Sequence, residues 1–183
     1  MNRKKRGFLR IAFLTMQMKF LLAGLILSSI SGLSAQNLVR NPDFNGMKPW
    51  SLTRWTKVYG SMNVADRNMV LVNDDLKQTT MAQQSMKLKS NTGYTLSFRI
   101  KGEDIRTDGA KNSGACIMIL HQGKYVYEGS PVGAWKAVSG TFDWKSCRLT
   151  FKTGEITGWC NLYLVLRKST GTVRFSDIRL EET

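Results

Sequence analysis

The segment Asn161 to Arg167 alternates three leucines with Asn161, Tyr163, Val165 and Arg167. Successive side chains of an extended strand point to opposite faces, so Leu162, Leu164 and Leu166 take one face and the other four residues take its reverse. Tyr163 and Arg167 stand two pleats apart on that reverse face, and Trp159 leads into it. A flat aromatic ring can cover the C–H surface of a pyranose, and a planar guanidinium can grip two hydroxyls at once. Arg99, on the polar side of a second alternating strand, joins this group on the expectation that both faces belong to one sheet. Each arginine taken singly also reads as an exposed strand residue that discourages edge pairing. A second aromatic group falls in loop or hairpin sequence: Trp55, Tyr59, Tyr125, Tyr127 and Trp135. Tyr125 and Tyr127 share one parity, and Trp135 sits in a loop with Gly133 and Pro131, where a large apolar ring invites a partner.

Catalytic chemistry is sparse. The single histidine, His121, ends an apolar run, and a Ser-His-Asp or Cys-His arrangement would have to use it. Glu103, Asp104, Asp143 and Glu155 could supply a glycosidase carboxylate pair, but nothing in their spacing pairs them. No phosphate loop, dinucleotide fingerprint or metal-hydrolase helix is present. The expectation is binding without turnover.

The elements that must position these residues are strands. In Tyr94 to Lys101, Tyr94, Leu96, Phe98 and Ile100 face one way and Thr95, Ser97, Arg99 and Lys101 the other. Further strands are expected at Arg148 to Phe151, Val173 to Leu180 and Cys116 to Leu120, with one or two in Met62 to Val72 and one in Met81 to Leu88. Turn residues separate them at Ser90 to Gly93, Asp108 to Gly114, Gln122-Gly123 and Ser169 to Gly171. Short strands with one apolar face each predict an all-β domain of two antiparallel sheets packed face to face.

The N-terminal 36 residues read differently. A basic head (Arg3, Lys4, Lys5, Arg6, Arg10), an apolar run from Phe20 to Leu27 and a small-residue exit through Ser34-Ala35-Gln36 have the order of a secretory signal peptide. The apolar run is shorter than the roughly 20 residues that span a bilayer, and no cysteine marks a lipid anchor. Met18-Lys19-Phe20 would by itself open a compact signal. The expectation is a secreted or periplasmic protein, with no membrane association after cleavage and a domain over residues 37–183. Removing those five cations and Lys19 from the 27 Lys and Arg, against 13 Asp and Glu, lowers the net charge from +14 to +8. That surplus fits either a solvated basic surface or an acidic glycan; export disfavours nucleic acid. Cys147 shares parity with Leu149 and Phe151, and Cys160 with Leu162, Leu164 and Leu166, which suits a cross-core disulfide or two buried thiols.

Three stretches carry a resemblance. Asn37-Leu38-Val39-Arg40-Asn41-Pro42-Asp43-Phe44-Asn45-Gly46 followed by Trp50 resembles the opening of carbohydrate-binding modules of families four, nine and twenty-two. Gln84 through Gly102 resembles their middle, and Gly140-Thr141-Phe142-Asp143-Trp144 with Gly171 through Leu180 resembles their ending. The resemblance implies a galactose-binding-like jelly-roll β-sandwich, with Trp50 and Trp144 as core anchors. It also implies a structural calcium ion joining the first and last strands, with Asn45 and Asp177 as ligands; Asn45 stands where the family carries Glu. The implied partner is a poly- or oligosaccharide, acidic on the strength of the net charge. The alternative partner is a protein, held by the loop aromatics on the same sandwich.

Overall fold

The computed structural model describes residues 35–183 apart from residues 49, 53–59, 111 and 127–136. The expected signal segment, Trp55, Tyr59, Tyr127 and Trp135 therefore lie outside the described residues. Ten strands follow one another: β1 (Ser51–Leu52), β2 (Ser61–Ala65), β3 (Asn68–Asn73), β4 (Thr79–Lys87), β5 (Gly93–Thr107), β6 (Gly114–His121), β7 (Lys124–Tyr125), β8 (Gly140–Lys152), β9 (Trp159–Arg167) and β10 (Ser169–Glu182). They form two five-stranded sheets, ordered β1-β4-β9-β6-β7 and β2-β3-β10-β5-β8. Every neighbouring pair is antiparallel. From β3 onward the chain alternates between sheets at every step except the β6–β7 hairpin, whose two strands pair within one sheet. This is the expected jelly-roll β-sandwich. Among the described residues no helix is long and apolar enough to cross a membrane.

The alternation read from the sequence builds that core. Leu96, Phe98 and Ile100 of β5, Val173, Phe175 and Leu180 of β10, and Leu162, Leu164 and Leu166 of β9 lie between the sheets, each at most 3% exposed. Phe44 and Trp50 close one end, their rings 5.4 Å apart, and the Trp50 indole donates to Asn41 O. Trp50 is thus the core anchor expected of it. The N-terminal segment is tied on by Leu38 N donating to Leu180 O and by the Asn37 side chain, which both accepts from Leu180 N and donates to Ile178 O.

Two turns sit where the sequence reading named none. The β2–β3 hairpin turns through Asp66 and Arg67, both at positive φ (51° and 59°), the backbone of a tight primed hairpin turn. The turn expected at Ser169 to Gly171 instead falls at Lys168, with φ of 42°, while Ser169 already belongs to β10. Gly171 marks a register shift between β10 and β5, and a Cβ there would collide with the Asp104 carbonyl.

Candidate functional site

The outer face of the β9 sheet holds most of the expected group. Its rows follow from the register: Lys87 beside Trp159, then Ser85, Asn161 and Leu120, then Gln83, Tyr163 and Met118, then Met81, Val165 and Cys116, then Thr79, Arg167 and Gly114. Trp159, Tyr163 and Arg167 therefore share one face, as the strand period required. The face is graded along its length. Trp159 is 60% exposed, whereas Tyr163 (7%), Met81 (7%), Leu120 (6%) and Val165 (0%) form a second apolar cluster separate from the core. Tyr163 thus presents little of its ring.

The polar end around Trp159 is organised by cross-strand pairs. Lys87 Nζ lies 5.2 Å from the centroid of the Trp159 ring, a cation–π contact. Ser85 Oγ donates to Asn161 Oδ1 at 2.6 Å. Arg40, outside the strands, reaches the same edge: its Nη2 donates to Ser85 O at 3.2 Å. Arg40 is fixed by Gln84, which is buried and exchanges two 2.8 Å hydrogen bonds with the Arg40 backbone. His121 Nδ1 lies 3.2 Å from Trp159 O; a carbonyl only accepts, so this nitrogen carries the proton and the imidazole props the strand end. Lys87, Ser85, Gln83 and Arg40 were missed in the sequence. The polar parity of β4 was visible there, but its pairing with β9 was not.

Burial pushes the Cys116 thiol up to about 12, with the Arg167 guanidinium pulling the other way. Desolvation also raises Cys147 and Cys160. All three are free, Cys160 in the core and Cys147 half-buried in the other sheet. With the thiol forms favoured, none is poised as a nucleophile.

Arg99 does not join this face. It belongs to β5 and therefore to the β10 sheet, where it lies 4.9 Å from the Trp144 ring centroid and 3.5 Å from Asp177. A strand's period assigns a residue to a face but not to a sheet. Trp144 is likewise corrected: it is half-buried on the outside under Arg99, not a core anchor. Register shifts between β5 and β8 on either side of Gly102 put Phe142 against the core while Trp144 faces out. Tyr125 lies in β7 with its backbone opposite Leu120, its side chain outside the described residues like Trp135. Glu103, Asp104 and Asp143 are ion-paired with Arg174, Arg106 and Lys101 respectively, not with one another in a glycosidase pair.

The residues expected to hold calcium do not fit that ion. Asp177 accepts from Ser176 Oγ at 3.0 Å and faces the Arg99 guanidinium, so a cation there would compete with an arginine already in place. The loop carbonyls are also engaged: Asn41 Nδ2 donates to both Gly46 O (2.9 Å) and Lys48 O (2.7 Å), and Pro42 O accepts from Ile178 N. Asn45 uses its backbone N–H to reach Asn41 Oδ1. Calcium asks for six to eight oxygens.

The sandwich matches solved structures. One is a family 4 carbohydrate-binding module, 16% identical, covering 79% of this chain and 99% of that one at a TM-score of 0.56. A family 61 module solved with β-1,4-galactotriose is 16% identical over 81% of this chain and 100% of the other, at 0.50. The chain has the jelly-roll fold of carbohydrate-binding modules. The same jelly roll also covers 21% of the enzymatically active domain of bacteriophage CBA120 tailspike protein 4, at 14% identity, 80% of this chain and a TM-score of 0.55. No family model and no curated protein matches the chain.

Proposed function

We propose that the protein is a non-catalytic carbohydrate-binding module that holds a poly- or oligosaccharide on the outer face of the β9 sheet, at its Trp159 end. The observation that carries this reading is the exposed Trp159 ring beside Lys87 and the Ser85–Asn161 pair. A flat apolar surface for the sugar ring lies next to amide, hydroxyl and ammonium groups for its hydroxyls, the mixture a sugar requires. The neighbour that carries β-1,4-galactotriose makes a galactan one reasonable first ligand. The five strands of this sheet contain no Asp or Glu, so an acid and nucleophile pair would have to come from loops; binding is the simpler use of the face. The signal-like N-terminal sequence supports export to where polysaccharides are met.

Trp159→Ala tests the reading. Retention on at least one polysaccharide in affinity electrophoresis should fall about tenfold or more, as expected for a central aromatic anchor. The melting temperature should stay close to wild type, because the ring is largely outside the core. Binding unchanged in this variant would remove the site from this face.

A further inference from the structure

The two sheets divide the charge unevenly. The strands of the β10 sheet hold Glu103, Asp104, Asp143, Asp177, Glu181 and Glu182, while those of the β9 sheet hold no acid and carry Lys87, Lys124 and Arg167. Each of the six ion pairs among the described residues includes a residue of the β10 sheet, and none includes one from the β9 sheet. The cations beside Trp159 are thus free of carboxylate partners among the described residues. Lys87 rests on the ring, and the Arg40 guanidinium bonds, among the described residues, to the carbonyl of Ser85 through one nitrogen. Arg40 bonds the main chain at Ser85, two residues and about 7 Å along β4 from Lys87, so both cations lie along the strand that pairs with the Trp159 end of β9.

We infer that the ligand is an acidic glycan, with a ring carboxylate or sulfate held between Lys87 and Arg40 while the sugar stacks on Trp159. This rests on the carbohydrate reading above and adds the ligand's charge. A neutral sugar would leave two exposed cations without counter-charge. An anion satisfies both with charge-assisted hydrogen bonds, which are stronger than neutral ones. Arginine supplies a planar fork for an oxyanion, and lysine a mobile point charge. No acid in the strands of this sheet opposes the approach.

The test compares the full chain with polygalacturonate and neutral galactan, and with dextran sulfate and neutral dextran, by affinity electrophoresis over a series of salt concentrations. The acidic member of at least one pair should bind about tenfold tighter than its neutral counterpart at low salt and weaken as salt rises. Lys87→Gln and Arg40→Gln should each remove most of that preference; Arg40→Gln leaves the backbone bonds to Gln84 in place. Arg148→Gln and Arg179→Gln, on the outer face of the other sheet, remove the same charge and should leave the preference intact. Which acidic chain binds identifies carboxylate or sulfate as the group recognised. Neutral chains bound as tightly as acidic ones, or losses as large in the control variants, would overturn the inference and leave the carbohydrate reading standing. Failure of all four polysaccharides to bind would overturn both.

Discussion

The outer faces of the two sheets are built on the same strand geometry and do opposite things with it. The β10 sheet covers its outside with charges that answer one another: Lys101 with Asp143 at 3.2 Å, Arg174 with Glu103 at 3.3 Å, Arg99 with Asp177 at 3.5 Å and Arg179 with Glu181 at 3.6 Å. Exposed pairs of this kind add little stability, but they leave no strong unmet demand for a ligand. The β9 sheet carries an apolar cluster, an exposed tryptophan and cations with no acid among its strands. Both faces own a tryptophan under a cation, Trp144 beneath Arg99 and Trp159 beneath Lys87. They differ in what surrounds the pair: an Asp177 carboxylate within reach in one case, and in the other the Ser85–Asn161 pair and cations with no carboxylate partner among the described residues. A cation on an aromatic ring is therefore no site by itself.

Mutating the two tryptophans in parallel separates the two faces by the largest margin. Trp159→Ala should cost about tenfold or more in glycan affinity, and Trp144→Ala should cost less than about twofold, a difference that calorimetric titration resolves. Equal losses would mean that the contrast between the faces has no bearing on binding. Gln84→Ala acts on the β9 face from beneath. It leaves the buried-side backbone groups of Arg40 without partners and should cost about 1–3 kcal/mol in urea unfolding, with weaker acidic-glycan binding because Arg40 loses its mooring.

Calcium or EDTA should leave the melting temperature unchanged, since Arg99 and the Asn41 amide already engage the oxygens a cation would use. A clear upward shift with calcium would show that Asp177 exchanges its arginine for a metal. The smallest effect belongs to Asp143. Its carboxyl is held below the usual carboxylate range by the Trp144 backbone N–H and then by Lys101. A depressed folded-state pKa contributes stability above the unfolded value, and that stability is lost as pH falls through the folded value. Asp143→Asn should thus lower the melting temperature slightly at neutral pH and flatten its further loss below about pH 4, with no change in glycan binding.

Much of the fold was legible because it is local. The period of two in Tyr94 to Lys101 and in Asn161 to Arg167 assigned each side chain to the core or the outside; every residue assigned to the core is buried, and Thr95, Tyr163 and Val165 are buried on the outer faces as well. Trp159, Tyr163 and Arg167 were placed on one face for the same reason. Tyr163 was overvalued, since sharing a face does not reveal that its ring is nearly covered. Trp144 was misplaced because the irregular pairing around Gly102 shifts the register between neighbouring strands, and a bulge leaves no mark in a simple alternation count.

The sequence by itself determined the class of the fold, the side of the strand each residue occupies and the poverty of catalytic groups, because these follow from residue type and spacing along one segment. Tertiary structure alone decided which strands are neighbours. Pairing β4 with β9 set Lys87 on Trp159 and Ser85 on Asn161, and pairing β5 with β10 and β8 carried Arg99 away to Asp177 and Trp144. Strand order is chosen by the summed packing of a whole sheet across residues far apart in the chain, and no single segment records that sum.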